Sequence, residues 1–184
     1  GPAMYAALAL KGYFPLEELD TLNAPETRLP SHTDMNRTPG VDMTTGSLGQ
    51  GFSSGLGIAL GCKRKNLDNY VYILLGDGEC EEGQVWECAM FAPAKSLDNV
   101  VGFVDYNKLQ LDGSVEEVGG VKDIGARFAA FGWHVVDVAD GNDVEQILMA
   151  IDEAKASKGR PSMLILNTKK GKDCSFAEDV FNHN

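Results

Sequence analysis

Residues 71–113 read VYILLGDGECEEGQVWECAMFAPAKSLDNVVGFVDYNKLQLDG. An apolar run from Val71 to Leu75 breaks at Gly76-Asp77-Gly78, a segment of helical length follows, and a second apolar run from Val100 to Asp105 ends just before Asn107. Strand, turn, helix, strand is the unit of a parallel sheet, whose strands are covered on both faces and therefore read as near-continuous apolar runs. Asp77 and Asn107 are 30 positions apart, room for one crossover unit. Both are thus expected at the carboxyl ends of parallel strands, where open α/β sheets bind ligands. If those strands are neighbours, about 4.8 Å apart, two oxygen donors converge.

The same pattern extends in both directions. Downstream, strands are expected at His134 to Val138 and Ser162 to Asn167, with helices at Glu82 to Lys95, Ile124 to Phe131 and Asp143 to Ser157. The last helix carries Val144, Ile147, Leu148 and Ile151 at helical spacing. Upstream, Ala3 to Lys11 reads as a helix. Ser47 to Leu60 is rich in glycine but spaces Phe52, Leu56 and Leu60 four apart, which predicts a helix packed closely on its neighbours despite the glycine cost. Asn23 to Thr45 has turn residues and little periodicity and reads as a long loop, a frequent carrier of function. The fold class expected is α/β, a parallel sheet with helices on both faces, in a single domain spanning 1–184. The first residue is Gly1 and the sequence opens inside a helix, so a fragment truncated at both ends is expected.

Composition narrows the partners. A net charge of −11 and the single short basic run at Lys169, Lys170 and Lys172 argue against a nucleic-acid or anionic-membrane surface. No apolar stretch is long enough to cross a bilayer and no signal segment opens the chain, which reads as cytoplasmic. Cys62, Cys80, Cys88 and Cys174 lack metal-site spacing and are expected as reduced, mostly buried thiols.

A carboxylate with an amide oxygen suits a hard cation such as Mg²⁺ or Ca²⁺, which fills its shell with a backbone carbonyl, water and phosphate oxygens. Gly76 and Gly78 allow close backbone approach to a diphosphate, and the following helix N-terminus adds partial positive charge. Asp-Gly turns after strands are common on their own; the second strand and Asn107 at this interval make the pattern specific. Glu79 and Glu81 fit an ordinary helix start, where acids complement the dipole.

The segment resembles the thiamine-diphosphate motif, GDG followed about thirty residues later by Asn. That resemblance implies metal ligation by Asp77, Asn107 and the backbone carbonyl of Leu109, with Gly76 and Gly78 at the diphosphate. Within GDGECEEG, Glu82 matches the Glu-Gly of the transketolase pattern, where the glutamate contacts the partner subunit's part of the cofactor site. The stretch LPSHTDMNRTPGVDMTTGSLGQGFSSGLGIALG resembles the transketolase loop in which a histidine precedes Thr-Thr-Gly and Leu-Gly-Gln-Gly. By it, His32 hydrogen-bonds substrate hydroxyls, and Gly46 and Leu48 line the cofactor. The closing TKKGKDCSFAEDVFNHN is similar to a segment ending in His-Gly, which implies a diphosphate and substrate contact for His183, although Lys172-Asp173 and Asn184 depart from the pattern. Where the family places an arginine for the substrate phosphate stands Asn23, and Arg28 is offset from that position.

The resemblance is to the N-terminal, diphosphate-binding domain of transketolases, and most to the separate N-terminal subunit of two-chain forms. It implies an enzyme of the pentose phosphate type that uses thiamine diphosphate and Mg²⁺ or Ca²⁺ to transfer a two-carbon ketol unit between sugar phosphates. The implied assembly is a homo- or hetero-oligomer, a dimer or heterotetramer, in which the partner is a pyrimidine-binding domain or C-terminal subunit. Three alternatives stand beside it: a 1-deoxyxylulose-phosphate synthase or 2-oxo acid dehydrogenase type, a non-catalytic scaffold subunit, and a nucleotide-binding Rossmann-like module. The TTGSLGQG loop and Glu82 argue against the first. The last lacks a GxGxxG after a strand.

Overall fold

A computed structural model describes residues 1–180 of the chain. The polypeptide divides into two compact units, Gly1–Gly51 and Phe52–Asn184.

The first unit opens with α1 (Pro2–Leu10). Pro2 lies in its first turn, where a missing N–H costs nothing and the fixed φ is already helical. Tyr5, Ala9, Phe14 and Leu29 form a small core flanked by Leu8 and Leu19. After a 3₁₀ turn at Leu16–Thr21, no helix or strand forms between Leu22 and Gly49, so the long loop expected from the sequence is present. Side chains take over the role of a hydrogen-bonded ladder in it. Tyr5 Oη donates to the Pro30 carbonyl at 2.6 Å, and Thr33 pairs with Thr45 through hydroxyls 2.9 Å apart.

The second unit carries the sheet. In chain order it holds most of α2 (Gln50–Arg64), then β1 (Val71–Gly76), α3 (Gly83–Ala94), β2 (Val100–Tyr106), a small hairpin of β3 (Leu109–Gln110) and β4 (Gly113–Ser114), α4 (Val115–Val118), α5 (Ile124–Ala130), β5 (His134–Val138), α6 (Val144–Ala156) and β6 (Ser162–Asn167). Strands β1, β2, β6 and β5 lie in that order, all parallel. Every strand and helix expected from the sequence is found within about four residues of its expected ends, the glycine-rich α2 being the most displaced. Helix α6 begins at the N-cap Asp143, whose carboxylate accepts from the Glu145 N–H at 2.9 Å. The hairpin, α4 and a 3₁₀ turn at Gly78–Glu81 are additions that periodicity did not reveal.

The side-chain alternation of the strands sorts the core into two layers. Ile73, Leu75, Val100, Val104, Met163 and Ile165 point to the face covered by α2, α3 and α5; Val101, Leu164, Leu166 and Val138 point to the face covered by α6. Helices thus cover both faces. Central strand β6 is buried from Ser162 to Leu166, whereas edge strand β1 leaves Tyr72 and Leu74 exposed. The glycine cost in α2 is offset by close packing, since a Cβ at Gly55 would stand 2.5 Å from Ile73 Cδ1. The cysteines are free thiols, Cys80 and Cys88 buried and Cys62 and Cys174 half-buried. Burial raises the Cys88 thiol to about 11 and the Cys80 thiol further still, so both are inert at neutral pH. Among the described residues no helix is long and apolar enough to cross a membrane.

Candidate functional site

Strands β1 and β2 are direct neighbours, in a register that sets Gly76 opposite Asp105. Asp77 and Asn107 each follow within one residue of the carboxyl end of their strands, and the Asp77 N–H donates to the Asp105 carbonyl at 3.2 Å. The two oxygen donors anticipated from their spacing therefore sit at the same edge of the sheet.

Asp77 is only 2% exposed. Its Oδ1 accepts from the Gly78 N–H at 2.8 Å and its Oδ2 from the Lys108 N–H at 2.5 Å. Among the described residues it has no ion pair with lysine, arginine or histidine. Burial holds its carboxyl above the usual aspartate range, the two backbone bonds offset part of this, and neighbouring Asp105 pushes in the same direction as burial. A carboxylate has about four lone-pair positions, and the two N–H groups leave acceptor capacity on both oxygens. Asn107 Oδ1 accepts from the Leu109 N–H at 3.0 Å, which turns the chain so that Asn107, Lys108 and Leu109 wrap one loop. A buried, unpaired carboxylate with an amide oxygen beside it fits a hard cation, whose remaining ligands would be carbonyl, water and phosphate oxygens. No group of three or more His, Cys, Asp or Glu side chains suited to a metal occurs among the described residues.

Gly76 ends β1 and gives its N–H to Glu79 Oε2 at 3.2 Å. Gly78 starts the 3₁₀ turn, and a Cβ there would lie 3.0 Å from Gln110 Oε1 and 3.3 Å from Gln110 Cβ. The turn delays α3 until Gly83, so the amides next to Asp77 belong to the turn and not to the α-helix expected to supply the dipole. Glu82 is the exposed N-cap residue of α3, and its side chain makes no capping bond. One contributor escaped the sequence reading: the Lys108 amide, presented by a left-handed residue at φ 67°. Nothing in an Asn-Lys pair announces that conformation.

In the first unit, His32 is exposed and Gly46 packs against its ring. Gly46 has φ 137°, a conformation L side chains rarely adopt, and a Cβ there would stand 2.8 Å from His32 Cγ and 3.0 Å from Nδ1. The Thr45 N–H bond to the Thr33 carbonyl at 3.2 Å and the Thr33 to Thr45 hydroxyl pair fasten the chain immediately beside both residues. Leu48 is 54% exposed. Asn23 adopts φ 60° and its Oδ1 accepts from Ser31 Oγ at 2.7 Å. Arg28 is engaged by Glu18 through two bonds of 2.7 and 2.5 Å, a bidentate pair that occupies its Nε and Nη2. His183 lies outside the described residues.

Comparison with known proteins accords with this geometry. Residues 2–183 match the family described as transketolase, thiamine diphosphate binding domain. The chain is 55% identical over 178 residues to the 6-deoxy-6-sulfo-D-fructose transketolase subunit SqwG of Clostridium sp. (strain MSTE9), covering 97% of this chain and 64% of that protein. It is 36% identical over 178 residues to one of the subunits of the apulose-4-phosphate transketolase of Phocaeicola vulgatus, covering 97% and 63%. A solved transketolase variant from Pichia stipitis superposes with a TM-score of 0.88 at 36% identity, covering 92% of this chain and 27% of that one. The chain thus spans just under two thirds of the subunit-type relatives and about a quarter of the solved enzyme. With the cofactor-domain match running through nearly all of its residues, the chain belongs to the transketolase family, in its thiamine-diphosphate-binding domain.

Proposed function

We propose that this chain supplies the diphosphate-binding part of a transketolase that moves a two-carbon ketol unit from a ketose to an aldose. The observation that carries the reading is the pairing of buried, unneutralised Asp77 with Asn107 at the ends of adjacent parallel strands. Asp77, Asn107 and the Leu109 carbonyl hold Mg²⁺ or Ca²⁺, and Gly76 and Gly78 accommodate the diphosphate. Thiamine diphosphate, when bound, supplies the carbanion chemistry; the protein supplies binding, orientation and electrostatics. His32 hydrogen-bonds substrate hydroxyls. Gly46 and Leu48 line the cofactor, and His183 contacts diphosphate and substrate. Glu82, exposed and uncommitted to capping, meets a pyrimidine-binding partner domain or subunit in an oligomer. The family match runs across both compact units, which supports reading residues 1–184 as one cofactor-binding domain; its action in the cytoplasm is part of the same proposal.

The identity to the sulfo-fructose relative and the placement of neutral Asn23 where an arginine is expected favour a donor ketose ending in a sulfonate over one ending in a phosphate. A sulfonate is a monoanion that neutral donors such as Asn23 can serve, whereas a phosphate carries about −1.5 to −2 charges at pH 7 and calls for a free guanidinium. Ketol transfer should be assayed with thiamine diphosphate and Mg²⁺, with and without the pyrimidine-domain partner, on 6-deoxy-6-sulfo-D-fructose and fructose 6-phosphate. The expected result is transfer only with the partner, and faster from the sulfonate. Substantial turnover by the chain alone would reject the division of labour, and a preference for the phosphate would reject the donor assignment.

A second expectation concerns His32. Gly46→Ala is expected to displace the imidazole, because the new methyl overlaps the ring and φ 137° is strained for alanine. Strain of about 1–3 kcal/mol, where it is carried into the placement of the imidazole at the transition state, corresponds to a loss of about 5- to 160-fold in kcat/KM. Cofactor affinity and turnover measured on the variant decide it, and unchanged kinetics would remove His32 from its role.

A further inference from the structure

Glu81 ends the 3₁₀ turn that follows Asp77, and its carboxylate reaches the segment after β2. Gln110 Nε2 donates to its Oε1 at 3.4 Å. Its carboxylate also lies against Gly119, where a Cβ would stand 1.8 Å from Oε1, 1.9 Å from Cδ and 2.1 Å from Oε2. Gly119 has φ −114° and ψ −20°, which any L residue adopts. Its lack of a side chain is therefore a matter of space for Glu81 and not of backbone freedom.

The same segment is tied down at two further points. The Lys108 N–H reaches Asp77 Oδ2, and the Lys108 carbonyl accepts from Val115 N–H at 3.0 Å. Gln110 sits over Gly78 so closely that a Cβ there would make it shift by a few tenths of an ångström. Leu109 lies between these anchors, and Asn107 immediately precedes the first of them. The turn after β1 and the 107–120 segment are thus interlocked, Gly78 receiving Gln110 in one direction and Gly119 receiving Glu81 in the other.

We propose that Glu81 is a positioning residue: seated in the notch at Gly119 and bonded by Gln110, it holds the 107–120 segment so that Asn107 and the Leu109 carbonyl keep their places beside Asp77. This rests on the cation site proposed above. Glu81 acts through the loop and does not itself touch the ligand. Its neighbour Glu82, by contrast, is exposed.

The test uses the full-length protein and four measurements. These are Mg²⁺-dependent thiamine diphosphate affinity by calorimetry, hydrogen exchange of the Lys108 and Leu109 amides without ligand, the thermal midpoint of the metal-free protein, and a double-mutant cycle. Glu81→Ala is expected to weaken cofactor binding about tenfold, the low end of what outer partners of metal ligands contribute. It should also speed exchange at both amides while leaving the thermal midpoint unchanged. Gly119→Ala should do the same by evicting Glu81, and Glu81→Gln should keep most of the affinity because its amide oxygen still accepts from Gln110. In the double variant Glu81→Ala/Gly119→Ala the methyl has nothing to displace, so its loss should equal that of Glu81→Ala alone. Multiplicative losses in the double variant, or wild-type affinity and exchange in both single variants, would overturn the latch. Asp77→Ala serves as the control on the cation site: if it binds cofactor as wild type does, the site reading fails, and the amide exchange still decides the latch because it needs no ligand.

Discussion

Asp77→Ala is expected to weaken Mg²⁺-dependent binding of thiamine diphosphate by more than about a hundredfold, since loss of even an outer partner of a metal ligand costs about 10–100-fold. The effect has two sources. The variant removes the only charged oxygen donor in the proposed set, leaving a neutral amide and a carbonyl to hold a divalent ion that prefers carboxylate. It also orphans the amides of Gly78 and Lys108, which now converge on Asp77 Oδ1 and Oδ2, so the turn and the Asn107 loop lose their common anchor. Unpaired buried donors cost about 1–3 kcal/mol each, but the same change deletes a buried charge that has no cationic side chain to meet it. These terms oppose one another, and the metal-free fold is expected to survive. Calorimetry with and without Mg²⁺, together with a thermal scan of the metal-free protein, separates the two. Wild-type affinity in a folded variant would remove Asp77 from the metal site, and with it the main support for the proposed function.

The sheet was legible because parallel strands announce themselves by composition. Val71 to Leu75, Val100 to Asp105 and Ser162 to Asn167 could be recognised as strands without knowing their order, since each is a near-continuous apolar run of strand length between turns, although edge strand β1 leaves Tyr72 and Leu74 exposed. The strand order was not legible. That β6 inserts between β2 and β5 depends on where each crossover lands, which no local pattern encodes. At the site, the placement of Asp77 and Asn107 just after neighbouring parallel strands could be read from their interval, and the register puts them there. The Lys108 amide, Gln110 and Glu81 could not, because their parts arise from a left-handed residue, a two-residue hairpin and a close approach to Gly119. Glu81 illustrates the limit well: its position near a helix start suggested a dipole partner, yet the carboxylate turns to the loop instead. Arg28 illustrates the converse, since only the structure reveals that Glu18 already claims it.

Phe128→Ala is expected to cost about 3–5 kcal/mol, the range for a buried phenylalanine truncated in a core that cannot close over the void. Phe128 is fully buried on α5, with ring centroids 5.3 Å from Trp86, 5.3 Å from Trp133 and 6.3 Å from Phe52. Those rings come from α3, from the residue before β5 and from α2, so a single side chain joins three elements that pack on one face of the sheet. Relaxation into the cavity is restrained because both indoles are pinned by hydrogen bonds, Trp86 Nε1 to the Cys80 carbonyl and Trp133 Nε1 to the Ala89 carbonyl, each at 2.9 Å. Cys80 lies in the same turn as Glu81, three residues from Asp77. Loosening the aromatic cluster therefore reaches the site through Trp86. A loss of this size lowers the thermal midpoint by roughly 6–20 °C in a protein of this length, and cofactor should recover part of it by binding only the folded state. A midpoint within about 2 °C of wild type, near the 1 kcal/mol level for this length, would show that the cluster closes over the missing ring. The indole bonds would then not be the restraint argued here.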